Sequence, residues 1–244
     1  MKRYLIVNAD DFGQSVGVNQ GIIAAHEQGI VTSASLMVRW PAAVEAATYA
    51  QAHPELSLGL HLDLGEWVYS DGAWATLYEV VRSDDAVAVA HEVACQIATF
   101  RRLVGREPTH IDSHQHVHRN QPTRAIVVAV AHKLGVPLRH FSAAVRYCGS
   151  FYGQSGTGQS LPSAISVAGL RKILTTLPAG VNELGCHPGL ADDVDSMYRG
   201  ERSVEVRTLC DARMRAALAT ENIQLCSFHT FSMETYLTNG HPVN

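Results

Sequence analysis

Long runs of any one kind are missing from this chain. No apolar stretch approaches the roughly 18 residues that a spanning helix needs, so no membrane span is expected. No block of Lys or Arg appears, and the net charge is −4, so nucleic acid is not an expected partner. Cysteine is sparse and scattered. The five residues (Cys95, Cys148, Cys186, Cys210, Cys226) show no Cys-x-x-Cys spacing, which argues against a disulfide framework or a thiolate zinc site. The apolar run after Met1-Lys2-Arg3 stops at Val7 and meets Asn8-Ala9-Asp10-Asp11, too soon for a signal peptide, so a cytoplasmic protein is expected. Also lacking is a Gly-x-Gly-x-x-Gly fingerprint after the first apolar run, which weakens a dinucleotide-binding fold.

What remains is a chain of 244 residues, 46% hydrophobic, with thirteen histidines. Short β-like runs alternate with helical ones. Strands are expected at Tyr4–Val7, Val31–Val38, Leu56–Leu64, His110–His116, Val136–Phe141, Val181–Cys186 and Ile223–Phe228. Helices are expected at Val16–Gln28, Pro41–Ala52, Asp84–Leu103, Pro122–Leu134, Ala164–Leu177 and Val204–Thr220. Long loops are expected at Glu66–Ser83 and Cys148–Pro162, and a polar one at Ala191–Arg202. This alternation implies a parallel sheet. Ionisable residues gather where strands end, as in barrels that build a site at that face. The expectation is an α/β protein: an irregular (β/α) barrel of about seven parallel strands, a single domain over residues 1–244.

The chemistry-bearing segments lie at those strand ends. In Asn8-Ala9-Asp10-Asp11-Phe12-Gly13, two adjacent carboxylates repel unless something compensates, and a cation is the simplest compensation. The blander role is a helix cap. In Ser57–Leu64, alternation sets Gly59, His61 and Asp63 on one face and leucines on the other. In His110–His118, five ionisable residues fall on every second position. His114, near the strand end, is the ligand candidate there, with Asp112 a partner that orients an imidazole. His187, before Pro188-Gly189, and His229 each end a strand and suit acid–base work, although each alone is equally a structural histidine. One Asp and two His would leave open positions on a metal, an arrangement for catalysis rather than structure.

Taken together, Leu5–Gly13, Gly29–Ser35, Gly59-Leu60-His61, Pro108–His118 and His187-Pro188-Gly189 resemble the YdjC-like carbohydrate deacetylases, which include chitooligosaccharide deacetylases. The resemblance implies an irregular β/α-barrel and removal of acetyl from N-acetylated sugars. It implies a divalent metal on Asp11, His61 and His114, with Asp10 the base and His187 the likelier acid. Arg139 and His229 are assigned to the substrate side, with His229 as the reserve acid. The family metal is magnesium, whereas two imidazoles suit zinc better, so both ions are carried forward. The partner implied is an acetylated carbohydrate, and a homodimer is compatible. Competing readings are a metal-dependent phosphoesterase, a metal-free glycosidase using Asp10 and Glu183, and a non-catalytic sugar-binding protein. Trp67, Tyr69, Trp74, Phe151 and Tyr152, in the two long loops, are expected near the mouth of the barrel.

Overall fold

A computed structural model describes residues 2–190 and 193–230. The chain runs β1 (Arg3–Phe12), α1 (Val16–Glu27), β2 (Ser33–Leu36), α2 (Ala43–Ala52), β3 (Ser57–Leu62), β4 (Gly65–Ser70), β5 (Ala73–Glu79), α3 (Ala86–Val104) and β6 (Ile111–Ser113). It continues with α4 (Thr123–Leu134), β7 (Val145–Cys148), α5 (Val167–Thr176), β8 (Gly180–Cys186), α6 (Gly200–Leu209), α7 (Ala212–Thr220) and β9 (Ile223–Leu225). Seven strands form one parallel sheet in the order β6-β3-β2-β1-β8-β7, with β9 also paired to β1. The sheet curls into a half-barrel with helices packed outside it. No described helix is long and apolar enough to cross a membrane.

β1 is buried almost throughout and takes partners on both sides, so it is the spine of the sheet. Leu58, Leu60, Leu62 and Leu64 enter the core, as the alternation in this stretch requires. Local signals set the helix ends. Ser15 accepts from the Val18 amide to open α1, and Asp85 accepts from Val87 and Ala88 to open α3.

Four elements differ from expectation. The stretch read as a loop at Glu66–Ser83 contains an antiparallel hairpin, β4 with β5, turning at Asp71-Gly72, where both residues have positive φ. Asp-Gly is a strong turn signal of this kind, although the flanking runs show no clear alternation. The strand expected at Val136–Phe141 is reduced to a single bridge between Leu138 and Ile111. Pro137 has no amide to donate, and the chain turns away at His140, where φ is 67°. The seventh sheet position goes instead to β7. The helix expected at Val204–Thr220 is two, because Asp211 turns its side chain onto the Arg213 amide and starts α7 anew. Finally, β6 stops at Ser113. A tight 3-10 turn follows over His114–Arg119, with Gln115 and His116 at positive φ, so the histidine alternation does not continue along one face. In the polar loop at Ala191–Arg202, residues 191 and 192 lie outside those described, and its end already belongs to α6.

Candidate active site

β1 turns at its end, where Asp11 adopts a φ of 68°, a left-handed conformation that Asp tolerates better than most residues. The turn sends the two neighbouring carboxylates to different partners. Asp10 is gripped by Arg139, Nη1 to Oδ2 at 2.6 Å and Nη2 to Oδ1 at 2.8 Å. Asp11 gives Oδ2 to the Arg202 guanidinium at 2.7 Å, leaving Oδ1 for the cavity side. The repulsion that the sequence poses is thus met by two buried arginines. Neither carboxylate is neutralised by protonation. Burial pushes both upward, but Arg139 for Asp10, and Arg202 then His114 for Asp11, outweigh it and hold them below the usual carboxylate range.

Asp11, His61 and His114 come together. Asp11 Oδ1 is 3.2 Å from His61 Nε2 and 3.1 Å from His114 Nδ1, and one donor atom from each of the three lies within 4.8 Å of the others. Ligand bonds of about 2.0–2.1 Å place tetrahedral neighbours about 3.3 Å apart, so this spacing fits a small divalent ion. The far nitrogens also face carboxylates. His61 Nδ1 is 2.7 Å from Asp112 Oδ1, and His114 Nε2 is 3.4 Å from Glu66 Oε2. Carboxylates behind imidazoles fix the tautomer and aim the other nitrogen. Burial alone would lower both imidazole pKa values, but Asp112 raises His61 to about 9 and Asp11 raises His114 to about 10. A second group, Asp10, His61 and Asp112, is equally close. Its two carboxylates already share Arg139, which leaves the Asp11 group the better cation site.

Behind them, Arg139 serves three buried carboxylates, Asp10, Asp112 and Glu183. One positive charge cannot balance three negatives, and burial pushes Glu183 up to about 7. Gly59 leaves room for a neighbouring ring: a Cβ there would lie 2.4 Å from that of His110. His110 itself stacks on Phe228 with ring centroids 3.9 Å apart and is a core histidine. Asp63 also turns from the site, accepting from Trp40 and Tyr78.

His187 stands on the other side of the cavity, Nε2 3.8 Å from Asp10 Oδ2. Tyr152 and Tyr198 flank its ring, each with centroids 5.4 Å away. Its backbone amide donates to Glu205 Oε2 at 2.5 Å, and its Nδ1 is buried with no hydrogen-bond partner among the described residues. Burial lowers the imidazole to about 4, so the ring is neutral at rest.

These groups floor a cavity of about 650 Å³. Trp67, Trp74 and Tyr152 line it, as the aromatic loops suggested. Phe151 is core, and Tyr69 packs edge-on against Trp74 without joining the lining. The hairpin is fastened to the His114 turn by Gln115, whose side chain donates to the Trp67 carbonyl at 2.7 Å and accepts from its amide at 3.0 Å. Arg139 and His229, assigned to the substrate side, do not line this cavity. Arg139 is spent on its carboxylates, and His229 is exposed beyond β9. Glu183 lies beneath Arg139, which removes the pair of flanking carboxylates a glycosidase needs. Sequence reasoning missed Arg202, Glu66, Tyr198 and Glu205. None sits in a motif, and only folding brings α6 and the hairpin to the strand ends.

The YdjC-like protein model matches residues 4–220. A carbohydrate deacetylase of Geobacillus stearothermophilus is 33% identical over 251 residues, covering 95% of this chain and 99% of the relative. A chitooligosaccharide deacetylase of Klebsiella pneumoniae (strain 342) is 33% identical over 256 residues, covering 93% and 99%. A crystal structure from Enterococcus faecalis V583, described provisionally as a cellobiose-phosphate cleavage protein, superposes with a TM-score of 0.79 at 28% identity, covering 96% of this chain and 100% of that one.

Proposed function

The chain belongs to the YdjC-like protein family, and from that premise we propose that it is a metal-dependent hydrolase removing acetyl groups from N-acetylated sugars or oligosaccharides. The observation that carries the reading is the meeting of Asp11, His61 and His114 at the floor of an aromatic-lined cavity, beside an ionised Asp10 and a neutral His187. The names of the relatives from Geobacillus and Klebsiella supply the substrate class. The whole chain acts as one domain in this reading.

Asp11, His61 and His114 would hold a divalent ion. When bound, that ion supplies polarisation of the acetyl carbonyl and acidification of a water. Magnesium is the expectation from the family, while the two imidazole donors favour zinc. The chain's own residues manage the protons. Asp10 is ionised and reaches the cavity, so it accepts the proton released as water adds to the carbonyl carbon. Arg139 keeps its proton affinity low, which helps the proton move on. His187, 3.8 Å away and neutral at rest, cannot begin as the acid. It becomes one by collecting that proton, and then gives it to the amine nitrogen as the carbon–nitrogen bond breaks. Protonation is what makes the amine able to leave.

Acetate release from acetylated chitooligosaccharides tests the proposal. Metal-replete enzyme should release acetate, and chelated enzyme should not. Asp10→Asn should keep its metal and lose about 10²- to 10⁴-fold in kcat, whereas His61→Ala should lose the metal as well. Sugar binding without acetate release from metal-replete protein would instead favour a non-catalytic sugar-binding protein.

A further inference from the structure

Two histidines meet a glutamate far from the cavity. His26 lies in the last turn of α1, His53 caps the end of α2, and Glu55 follows in the turn that leads into β3. These helix ends return the chain to the starts of β2 and β3, on the face opposite the cavity. Glu55 Oε1 is 3.5 Å from His26 Nε2 and 3.1 Å from His53 Nδ1, and one donor atom from each residue lies within 4.8 Å of the others. The spacing matches that around Asp11, at 3.2 and 3.1 Å, and brackets the roughly 3.3 Å between tetrahedral zinc ligands.

The orientation of His26 is a separate observation. Its Nδ1 is 3.1 Å from the Val31 carbonyl oxygen. A carbonyl can only accept, so Nδ1 carries the hydrogen and Nε2 is the nitrogen turned to Glu55. Metal-bound imidazoles are usually held this way, by a backbone carbonyl on the far nitrogen. The rings are also braced. Tyr49 stacks on His53 at 4.2 Å and meets His26 edge-on at 6.1 Å. The side chains are 10%, 35% and 60% exposed for His26, His53 and Glu55, so an ion can enter from solvent and keep a water in its remaining position.

We propose that His26, His53 and Glu55 form a second metal site, taking a zinc-class divalent ion. Two imidazoles and one carboxylate favour such an ion over magnesium. Its role is structural. It ties the end of α1 to the α2–β3 turn, on the face where barrels keep their stability rather than their chemistry. Without metal, the three groups would be a local ion-pair cluster only.

Zinc alone, titrated into metal-stripped protein, separates the alternatives. In a His61→Ala background, which disables the cavity set, one zinc equivalent should remain and should raise Tm. Adding His53→Gln should abolish that equivalent and the Tm rise. Glu55→Gln, a change at an exposed side chain, should weaken binding at least tenfold without affecting the fold. His53→Gln alone should keep acetate release once the cavity ion is restored. Zinc stoichiometry unchanged by His53→Gln, or no zinc bound in the His61→Ala background, would overturn the site. Neither outcome bears on the hydrolytic reading, which is read out by acetate.

Discussion

His61 gives its two ring nitrogens to two different carboxylates: Nδ1 faces Asp112 Oδ1 at 2.7 Å, and Nε2 faces Asp11 Oδ1 at 3.2 Å. The first contact aims the second. Asp112→Asn keeps the shape but removes the charge that holds the Nδ1 proton and turns Nε2 toward the ion. Losing such a partner typically costs about 10- to 100-fold in metal affinity. The expected result is weakened metal binding, with much of kcat recovered at high metal concentration. Metal titration and kcat at two metal concentrations check this. Unchanged affinity would mean that packing alone orients His61.

Metal loading should also release protons. Without an ion, His61 and His114 titrate near 9 and 10, so both rings are protonated at neutral pH. An ion must displace those protons to reach the nitrogens. Close to two protons should be released per ion at pH 7, and affinity should fall as pH drops. Calorimetry in buffers of different ionisation enthalpy counts the protons, and a count near zero would refute the assignment of both rings. The metal-free protein carries the opposite linkage. Folded values raised above the ordinary imidazole value of about 6.5 stabilise it fully below that pH. That stability is lost as pH rises through 9 to 10.

The site was more legible in the sequence than its supports. Asp11, His61 and His114 sit at strand ends in local patterns, and a period of two is readable without a fold. Arg202 is invisible by that route. It comes from a polar stretch 191 positions away from Asp11, and only the packing of α6 delivers it. Alternation also misled. It placed Asp63 beside His61, yet β3 ends at Leu62, and Asp63 turns to Trp40 and Tyr78. The strand expected at Val136–Phe141 failed for a similar reason. Its composition suits a strand, but Pro137 lacks an amide and the chain turns at His140, just past Arg139, whose guanidinium pairs with three buried carboxylates. In both places the backbone turns where the alternation would have continued.

Glu205 makes stability depend on pH. It is fully buried, accepts from the His187 amide and the Tyr198 hydroxyl, and burial pushes it up to about 8. The folded state therefore holds a proton that the unfolded state gives up near 4.5. Stability should fall as pH rises from about 4.5 to 8 and level off above. Glu205→Gln cannot ionise, so its Tm should lose that decline and exceed the wild-type value at pH 8 and above. Thermal melts of both proteins across pH 5 to 9 are the check. Parallel curves would show that Glu205 stays ionised when folded.

Trp74 offers the clearest test of how sugar is held. It is 54% exposed on β5, lines the cavity, and rides on a hairpin held to the His114 turn by Gln115. An exposed indole contributes little to folding, so Trp74→Ala should change stability by no more than about 0.5 kcal/mol. Stacking on a sugar face is comparable to an aromatic pair, about 0.5–1.5 kcal/mol. At about 1.4 kcal/mol per factor of ten, this corresponds to a KM raised about two- to tenfold. In the proposed mechanism the chemistry takes place at Asp10 and His187, on other elements, so kcat should hold. The effect should be larger for oligosaccharides than for a single acetylated sugar, because the hairpin is at the rim and the ion site at the floor. Steady-state kinetics over a chain-length series, with a thermal melt of the same variant, decide it. A KM unmoved at every length would mean that Trp74 only closes the hairpin. A fallen kcat with unchanged KM would mean that the hairpin positions His114 rather than the substrate.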